Sequence, residues 1–226
     1  MKKVVLVLLA VPLIMNIALL IELVSLRNDF NGFRAEVANT AIDPANLYGK
    51  AVKSVVRIEM GYTRGAGFVY GKSNLIVTAY HVVEEKPNKI IVEYFNGAKV
   101  PANLVGYNED FDIAILEVAS KHQEARPLTA AANVNIGEPI ITIGHPDDFR
   151  NSLSVGLISG LKRQLDEFPD IEEIQIDITV NYGSSGSPVL NRRGEVIGIA
   201  NRMTDPFTFG FAIPIEYADR LLKNLP

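Results

Sequence analysis

The pattern of apolar and polar positions divides the chain into three textures. Behind Lys2 and Lys3, residues from Val4 to Leu26 are almost continuously apolar, interrupted at Pro12, Asn16, Glu22 and Ser25. A segment apolar on every face does not suit the surface of a globular core, and about 20 such residues suffice to span a bilayer as a helix. Residues 28–50 are polar, without a strong period, and read as a stalk, either irregular or partly helical. From residue 54 onward the texture changes to short runs rich in Val, Ile and aromatic residues, punctuated by Gly, Asn and Lys. "SVVRIEM", "GAGFVYG", "NLIVTAY", "KIIVEYF", "KVPANLVGY" and "FDIAILEV" make one set of about six strands. After the break "SKHQEARPLTAAANVN" a second set follows in "EPIITIGHP", "SLSVGLISGLKR", "IEEIQIDITV", "SPVLN", "GEVIGIANR" and "TFGFAIP". Short β-rich runs bounded by turn residues predict a sandwich or barrel. No helix alternates with the strands, which argues against a parallel α/β sheet. Ile215, Ala218, Leu221 and Leu222 have helical spacing and predict one short C-terminal helix.

Charge and composition refine this picture. Lys2 and Lys3 favour a cytoplasmic N-terminus, with the remainder outside. A cleaved secretory signal peptide is the competing reading, and "IELVSLR" is a poor cleavage site for it. The chain has no cysteine, so disulfides, thiolate chemistry and Cys-based metal sites are excluded. Its net charge of −4 carries no basic stripe, and nucleic acid is not an expected partner. The acidic patch "DEFPDIEE" at 166–173 reads as a solvated hairpin tip.

With three histidines, the search for a general base is short. His122 lies in a charged linker and reads as a bystander, and His145, at a strand end before Pro146, reads as a turn residue. His81 directly follows a strongly apolar strand, where a polar ring needs a partner; a core histidine held by backbone and a catalytic base both fit. Alternation along "FDIAILEV" puts Asp112 on one strand face with Ala114 and Leu116. A carboxylate drawn in among apolar neighbours needs a hydrogen-bond donor, although a surface position at the strand start also fits.

The stretch "VNYGSSGSPVL" at 180–190 holds three serines between apolar flanks. A serine hydroxyl is a poor nucleophile until a base takes its proton, and the developing oxyanion needs backbone donors. Ser185 has Gly183 two residues before it and Gly186 directly after it, whereas Ser184 and Ser187 lack that arrangement. The spacing favours Ser185 without deciding. The chain order His81, Asp112, Ser185 differs from the Ser–Asp–His and Asp–His–Ser orders of two other hydrolase classes and matches the two-barrel order.

These blocks, in sequence from about Leu47 to Leu225, resemble the trypsin-like serine proteases, and most closely the bacterial HtrA/Deg branch. The resemblance implies two six-stranded antiparallel β-barrels with a catalytic cleft between them, the first at about 47–125 and the second at about 126–213. A C-terminal helix is expected at 214–225, a stalk at 28–46 and a transmembrane anchor at 1–27. It also implies His81 as general base, Asp112 as its orienter and Ser185 as nucleophile, with the N–H groups of Gly183 and Ser185 as oxyanion hole. Substrate would add as a strand along Ala200, Asn201 and Arg202, and Thr179 would lie near the base of the P1 pocket, favouring small or medium apolar P1 residues. Asp177 shares a strand face with Thr179. No metal or organic cofactor is needed. The expected partners are protein or peptide substrates and a membrane, with the protease unit outside the cytoplasm, or secreted after cleavage; a homo-oligomer stays open. Where the family usually has Asn-Pro-Gly-Asn-Ser-Gly-Gly, this chain has "NYGSSGS". Ser187 there would restrict the loop if its φ were positive. No counterpart of the PDZ domain common in the HtrA branch is expected. Two other classes fit the same strands: a catalytically silent peptide-binding module and a structural surface protein.

Overall fold

The computed structural model describes residues 19–29, 42–85, 89–165, 168–203 and 209–225. The chain forms two units, Met1–Ile42 and Asp43–Pro226. In the first, residues 19–29 are helical and exposed. Among the described residues no helix is long and apolar enough to cross a membrane. Most of the expected anchor, residues 1–18, and the stalk from 30 to 41 lie outside the described residues.

The second unit opens with a helix the hydrophobic pattern did not announce, α1 (Pro44–Ala51). Its start is chemically specified: Asp43 accepts the Asn46 N–H at 3.1 Å, and Pro44 occupies the first turn, where its missing N–H is no loss. Leu47 and Ala51 are buried.

Twelve strands follow. β1 (Val55–Met60), β2 (Thr63–Val69), β3 (Leu75–Ala79), β4 (Ile90–Glu93), β5 (Lys99–Asn108) and β6 (Ile113–Val118) close into one barrel in the order β1-β2-β3-β6-β5-β4. β7 (Pro139–Gly144), β8 (Ser152–Leu165), β9 (Phe168–Ile176), β10 (Pro188–Asn191), β11 (Val196–Met203) and β12 (Gly210–Pro214) close into a second. Its cyclic order β10-β11-β12-β9-β8-β7 is the same path read in reverse, so the two barrels repeat one topology. Closure removes the sheet edges that would otherwise invite aggregation. Val56, Ile58, Ile76, Val92 and Leu116 fill the first core, and Ile140, Ile158, Ile176, Val189 and Ile197 the second. Fully burying each of these side chains contributes roughly 1.5–3 kcal/mol.

The helix α2 (Ile215–Lys223) grows directly from β12. Glu216 in its first turn and Arg220 and Lys223 in its last suit the helix dipole. Although it leaves the second barrel, it packs on the first. Tyr70, directly after β2, donates its hydroxyl to Asp219 at 2.8 Å. The Phe111 and Tyr217 rings lie 4.7 Å apart. At Gly106 of β5 a Cβ would come within 2.6 Å of Leu225. The helix is thereby a strap from one barrel to the other, and Phe111 sits beside the expected acid.

Candidate active site

His81 lies in a single 3₁₀ turn, Tyr80–Val82, at the end of β3. Val82 is buried while the imidazole is 42% exposed, so the turn anchors one residue and presents the other. Nδ1 is 2.6 Å from Asp112 Oδ2, and the His81 backbone N–H donates to Asp112 Oδ1 at 2.8 Å. An ionised carboxylate only accepts, so the ring proton belongs on Nδ1 and the Nε2 lone pair is left for a reacting group.

Asp112 is buried as expected, but it is not on the strand. It sits in the turn before β6 with φ of 49°. Turn chemistry overrides alternation here: Asn108 Oδ1 accepts the Phe111 N–H at 2.8 Å, and the Asp112 N–H reaches the Glu109 carbonyl at 3.1 Å. Asp tolerates this left-handed backbone better than most residues. Its own carbonyl takes the Tyr80 N–H at 3.0 Å, which ties the acid's turn to the base's turn. The next four residues, Ile113 to Leu116, are all fully buried, so neither face of β6 is a solvent face.

The serine loop joins β9 to β10 and is clamped from three sides. The Ser185 carbonyl accepts the Ala66 N–H of β2 at 2.8 Å, reaching across from the first barrel. The Gly186 N–H donates to the Ala200 carbonyl at 2.7 Å. Gly183 and Gly186 have φ of 88° and 87°. A Cβ on Gly186 would lie 2.1 Å from the Ala66 carbonyl oxygen, and one on Gly183 2.4 Å from that of His145. Ser187 does not have positive φ, so the restriction considered for it does not arise. The N–H groups of Ser184 and Ser187 have acceptors within the loop and that of Gly186 has one on β11, whereas those of Gly183 and Ser185 have none among the described residues. The Ser185 hydroxyl donates to the Asn201 carbonyl at 3.0 Å, and no hydrogen bond joins it to His81.

Two cavities flank these groups. One, of about 410 Å³, is lined by Tyr80, His81, Glu84, Glu109, Asn201 and Arg202, together with Asp112. The other, of about 40 Å³, is lined by Thr142, Ser152, Ser154, Thr179 and Ser184 together with Gly144, Pro146, Val180, Asn181 and Ala200. Thr142 Oγ1 is buried there without a partner. Asp177 does not line it; its carboxylate instead accepts the Leu157 N–H. The lining therefore mixes small polar and apolar residues, Thr179 among them.

The remaining expected residues separate. Ala200 cannot present its backbone to a ligand strand, because its carbonyl takes the Gly186 N–H and its N–H goes to the Ser187 carbonyl at 2.8 Å. β11 pairs with β10 only as far as Ile199. Asn201 falls at a bulge between Ala200 and Arg202, and its carboxamide lies 2.7 Å from Asp112 Oδ2. Arg202 is paired with Glu173, a fully buried residue of the patch expected to be solvated. Burial pushes the Glu173 carboxyl up, and Arg202 opposes that rise. His122 stacks on Tyr94 at 4.5 Å. His145 is buried beneath the serine loop, where burial pulls its pKa down to about 4, and its Nδ1 accepts the Asn151 N–H at 3.2 Å. Among the described residues no group of three or more His, Cys, Asp or Glu is placed to hold a metal ion.

Two closed six-stranded antiparallel barrels, one carrying a His–Asp pair and the other a glycine-flanked serine, are the architecture of the two-barrel class. The family described as trypsin-like peptidase domain matches residues 65–199, and the chain belongs to that family. Among curated proteins it is 36% identical over 208 residues to Serine protease HTRA1A of Danio rerio, covering 88% of this chain and 42% of the relative. It is 34% identical over 169 residues to Putative serine protease HhoA of Synechocystis, covering 72% and 43%. The chain thus spans less than half the length of these curated relatives. Among solved structures, the HtrA-type protease AlgW with tripeptide superposes with a TM-score of 0.73 at 26% identity, covering 80% of this chain and 62% of that one. Deg5 gives 0.66 at 29%, covering 79% and 91%.

Proposed function

We propose that the chain is a serine endopeptidase that cleaves proteins outside the cytoplasm, held at a membrane by its N-terminal apolar segment. The observation that carries the enzymatic reading is the pattern of backbone donors in the serine loop. From 183 to 187, the N–H groups that lack an internal acceptor are those of Gly183 and Ser185. Two unpaired donors beside a candidate nucleophile are what a developing oxyanion requires.

In the proposed reaction Ser185 Oγ attacks the scissile carbonyl while His81 Nε2 takes its proton. The tetrahedral oxyanion is held by the two N–H groups, and the imidazolium by Asp112. His81 then protonates the leaving amine, and water repeats the sequence on the acyl-enzyme. Before attack the Ser185 hydroxyl leaves the Asn201 carbonyl by rotation about Cα–Cβ, a fast motion for a side chain that is not fully buried. That releases the carbonyl for the backbone N–H of the bound peptide. The cavity of about 40 Å³, walled mostly by small residues, admits a small P1 side chain such as Ala, Ser or Val in preference to Phe or Arg.

The test is hydrolysis of unfolded casein by the full chain in nonionic detergent, beside Ser185→Ala. The enzymatic reading expects turnover by the parent, none by the variant, and cut sites following small residues. A silent peptide-binding module is the second reading, favoured by the Ser185–Asn201 bond. It expects equal peptide binding by both proteins and hydrolysis by neither.

A further inference from the structure

We propose that Glu173 is a positioning residue for this reaction: through Arg202 it selects the orientation of the Asn201 carboxamide that donates to Asp112. The inference rests on the enzymatic reading above and adds a residue to it. It begins with a side chain the fold does not need. Glu173 lies on β9, fully buried. A buried carboxylate is unfavourable unless paired, and an apolar pair of similar volume commonly stabilises a protein as well or better. Its partner, the Arg202 guanidinium, is itself only 16% exposed. The pair joins two strands that do not pair with each other: β9 and β11 each flank β12.

The bulge explains how this pair reaches the catalytic groups. In a regular strand Asn201 and Arg202 would face opposite sides. The bulge re-aims them, and the Asn201 carboxamide and Arg202 Nη2 come within 3.1 Å. The other end of the same carboxamide is 2.7 Å from Asp112 Oδ2. Two lone-pair oxygens repel at that distance, so the end facing an ionised Asp112 is the NH₂, and the carbonyl faces Arg202. Arg202 only donates, so its presence enforces that choice. Asp112 Oδ2 then accepts from both Asn201 and His81, while Oδ1 accepts the His81 backbone N–H. The chain Glu173–Arg202–Asn201–Asp112–His81 is continuous from the buried carboxylate on β9 to the ring.

The charged groups facing His81 across the larger cavity are Glu84, Glu109, Asp112 and Arg202. Arg202 is balanced by Glu173, which gives the test a sign that packing alone would not produce. Glu173→Gln leaves one more positive charge near His81 and disfavours the imidazolium; in Arg202→Gln the buried Glu173 carboxyl, no longer held down by the guanidinium, takes up a proton and adds no charge.

Two readouts are taken on the full chain in detergent. The first is the histidine NMR titration, which does not depend on turnover. In Glu173→Gln the imidazolium signal is expected to be lost at lower pH than in the parent, and in Arg202→Gln to follow the parent. The downfield Nδ1–H resonance of the His81–Asp112 pair is expected to broaden in both. The second readout is the rate of reaction with a fluorescent fluorophosphonate against pH. Its acidic limb should follow the NMR shifts, and its plateau should drop about tenfold in Arg202→Gln. Asn201→Ala should drop it as far, with no further loss when Arg202→Gln is added, as expected for groups acting in one chain. The double variant Glu173→Gln/Arg202→Gln leaves no charge unpaired, so it serves if either single variant fails to fold. It should titrate like the parent, with the lowered plateau. A parent-like resonance and titration in Glu173→Gln, together with a parent-like plateau in the double variant, would overturn the proposal. A parent inert to fluorophosphonate but with the expected NMR shifts would overturn the enzymatic reading and keep the coupling.

Discussion

Gly186 is the point where the serine loop touches the first barrel, and Gly186→Ala tests whether that contact holds the nucleophile. Two effects add. Its φ of 87° disfavours any Cβ, by roughly 1–2 kcal/mol. The new methyl would also stand 2.1 Å from the Ala66 carbonyl oxygen and 2.5 Å from Thr78 Oγ1. Backbone on one side and a buried strand residue on the other cannot both yield without disturbing local bonds. Those at risk are the Thr78 hydroxyl to the Ala66 carbonyl and the Ala66 N–H to the Ser185 carbonyl, each a net of about 1 kcal/mol. The sum is about 3–4 kcal/mol. At roughly 2–4 °C per kcal/mol for a domain of this size, the midpoint should fall by roughly 6–16 °C. Gly97→Ala is the control, because φ is 83° there with nothing within 4 Å; it should show the backbone strain alone. Scanning calorimetry reads the stability, and fluorophosphonate labelling reads the loop. Displacing a reacting group by about 1 Å costs on the order of 100-fold, so Gly186→Ala should label at about that deficit while Gly97→Ala labels normally. Equal midpoints for the two variants, or full labelling of Gly186→Ala, would refute the argument.

Further outcomes follow from the same geometry. Asp112→Asn keeps a residue tolerant of the φ of 49° and an acceptor for the His81 N–H. It should fold with a near-parent midpoint, yet lose about 10⁴-fold in turnover on casein, because the amide favours the wrong ring tautomer. His145, with its pKa held down to about 4 by burial, gives a signed pH effect. Between the unfolded value near 6.5 and the folded value, the unfolded chain binds the extra proton. The contribution is therefore present above about pH 6.5 and lost as pH falls toward 4. Urea midpoints at pH 7 and 4.5 should show His145→Gln losing about 2–3 kcal/mol less than the parent; carboxylates titrate in both proteins and cancel in the difference.

Strands were the most legible part of the sequence, because each is a Val- and Ile-rich run closed by a turn residue. All twelve observed strands overlap the expected runs. The hairpin at Gly194 was legible for the same reason: its φ is 78°, and Asn191 Oδ1 accepts the Arg193 and Glu195 N–H groups. Asp112 shows where a period misleads. Its burial followed from the apolar surroundings, but its backbone is set by the Asn108 side chain and not by alternation. Glu173 was misread because acidic neighbours in sequence signal solvent, whereas β9 turns that one carboxylate toward an arginine that follows a bulge 29 residues away. Neither a bulge nor a carboxamide orientation has a composition signature. His145 was likewise placed in the right turn, while its burial depends on the serine loop folding over it. α1 had a local signal, Asp43 before Pro44, but too few apolar positions to show a period.

The central claim is that Ser185 is an activated nucleophile, and intact-mass analysis after exposure of the full chain to a fluorophosphonate tests it most directly. The account predicts a single adduct, mapped to Ser185 and absent from both Ser185→Ala and His81→Ala. An adduct on another residue, or none on protein shown by calorimetry to be folded, would contradict it.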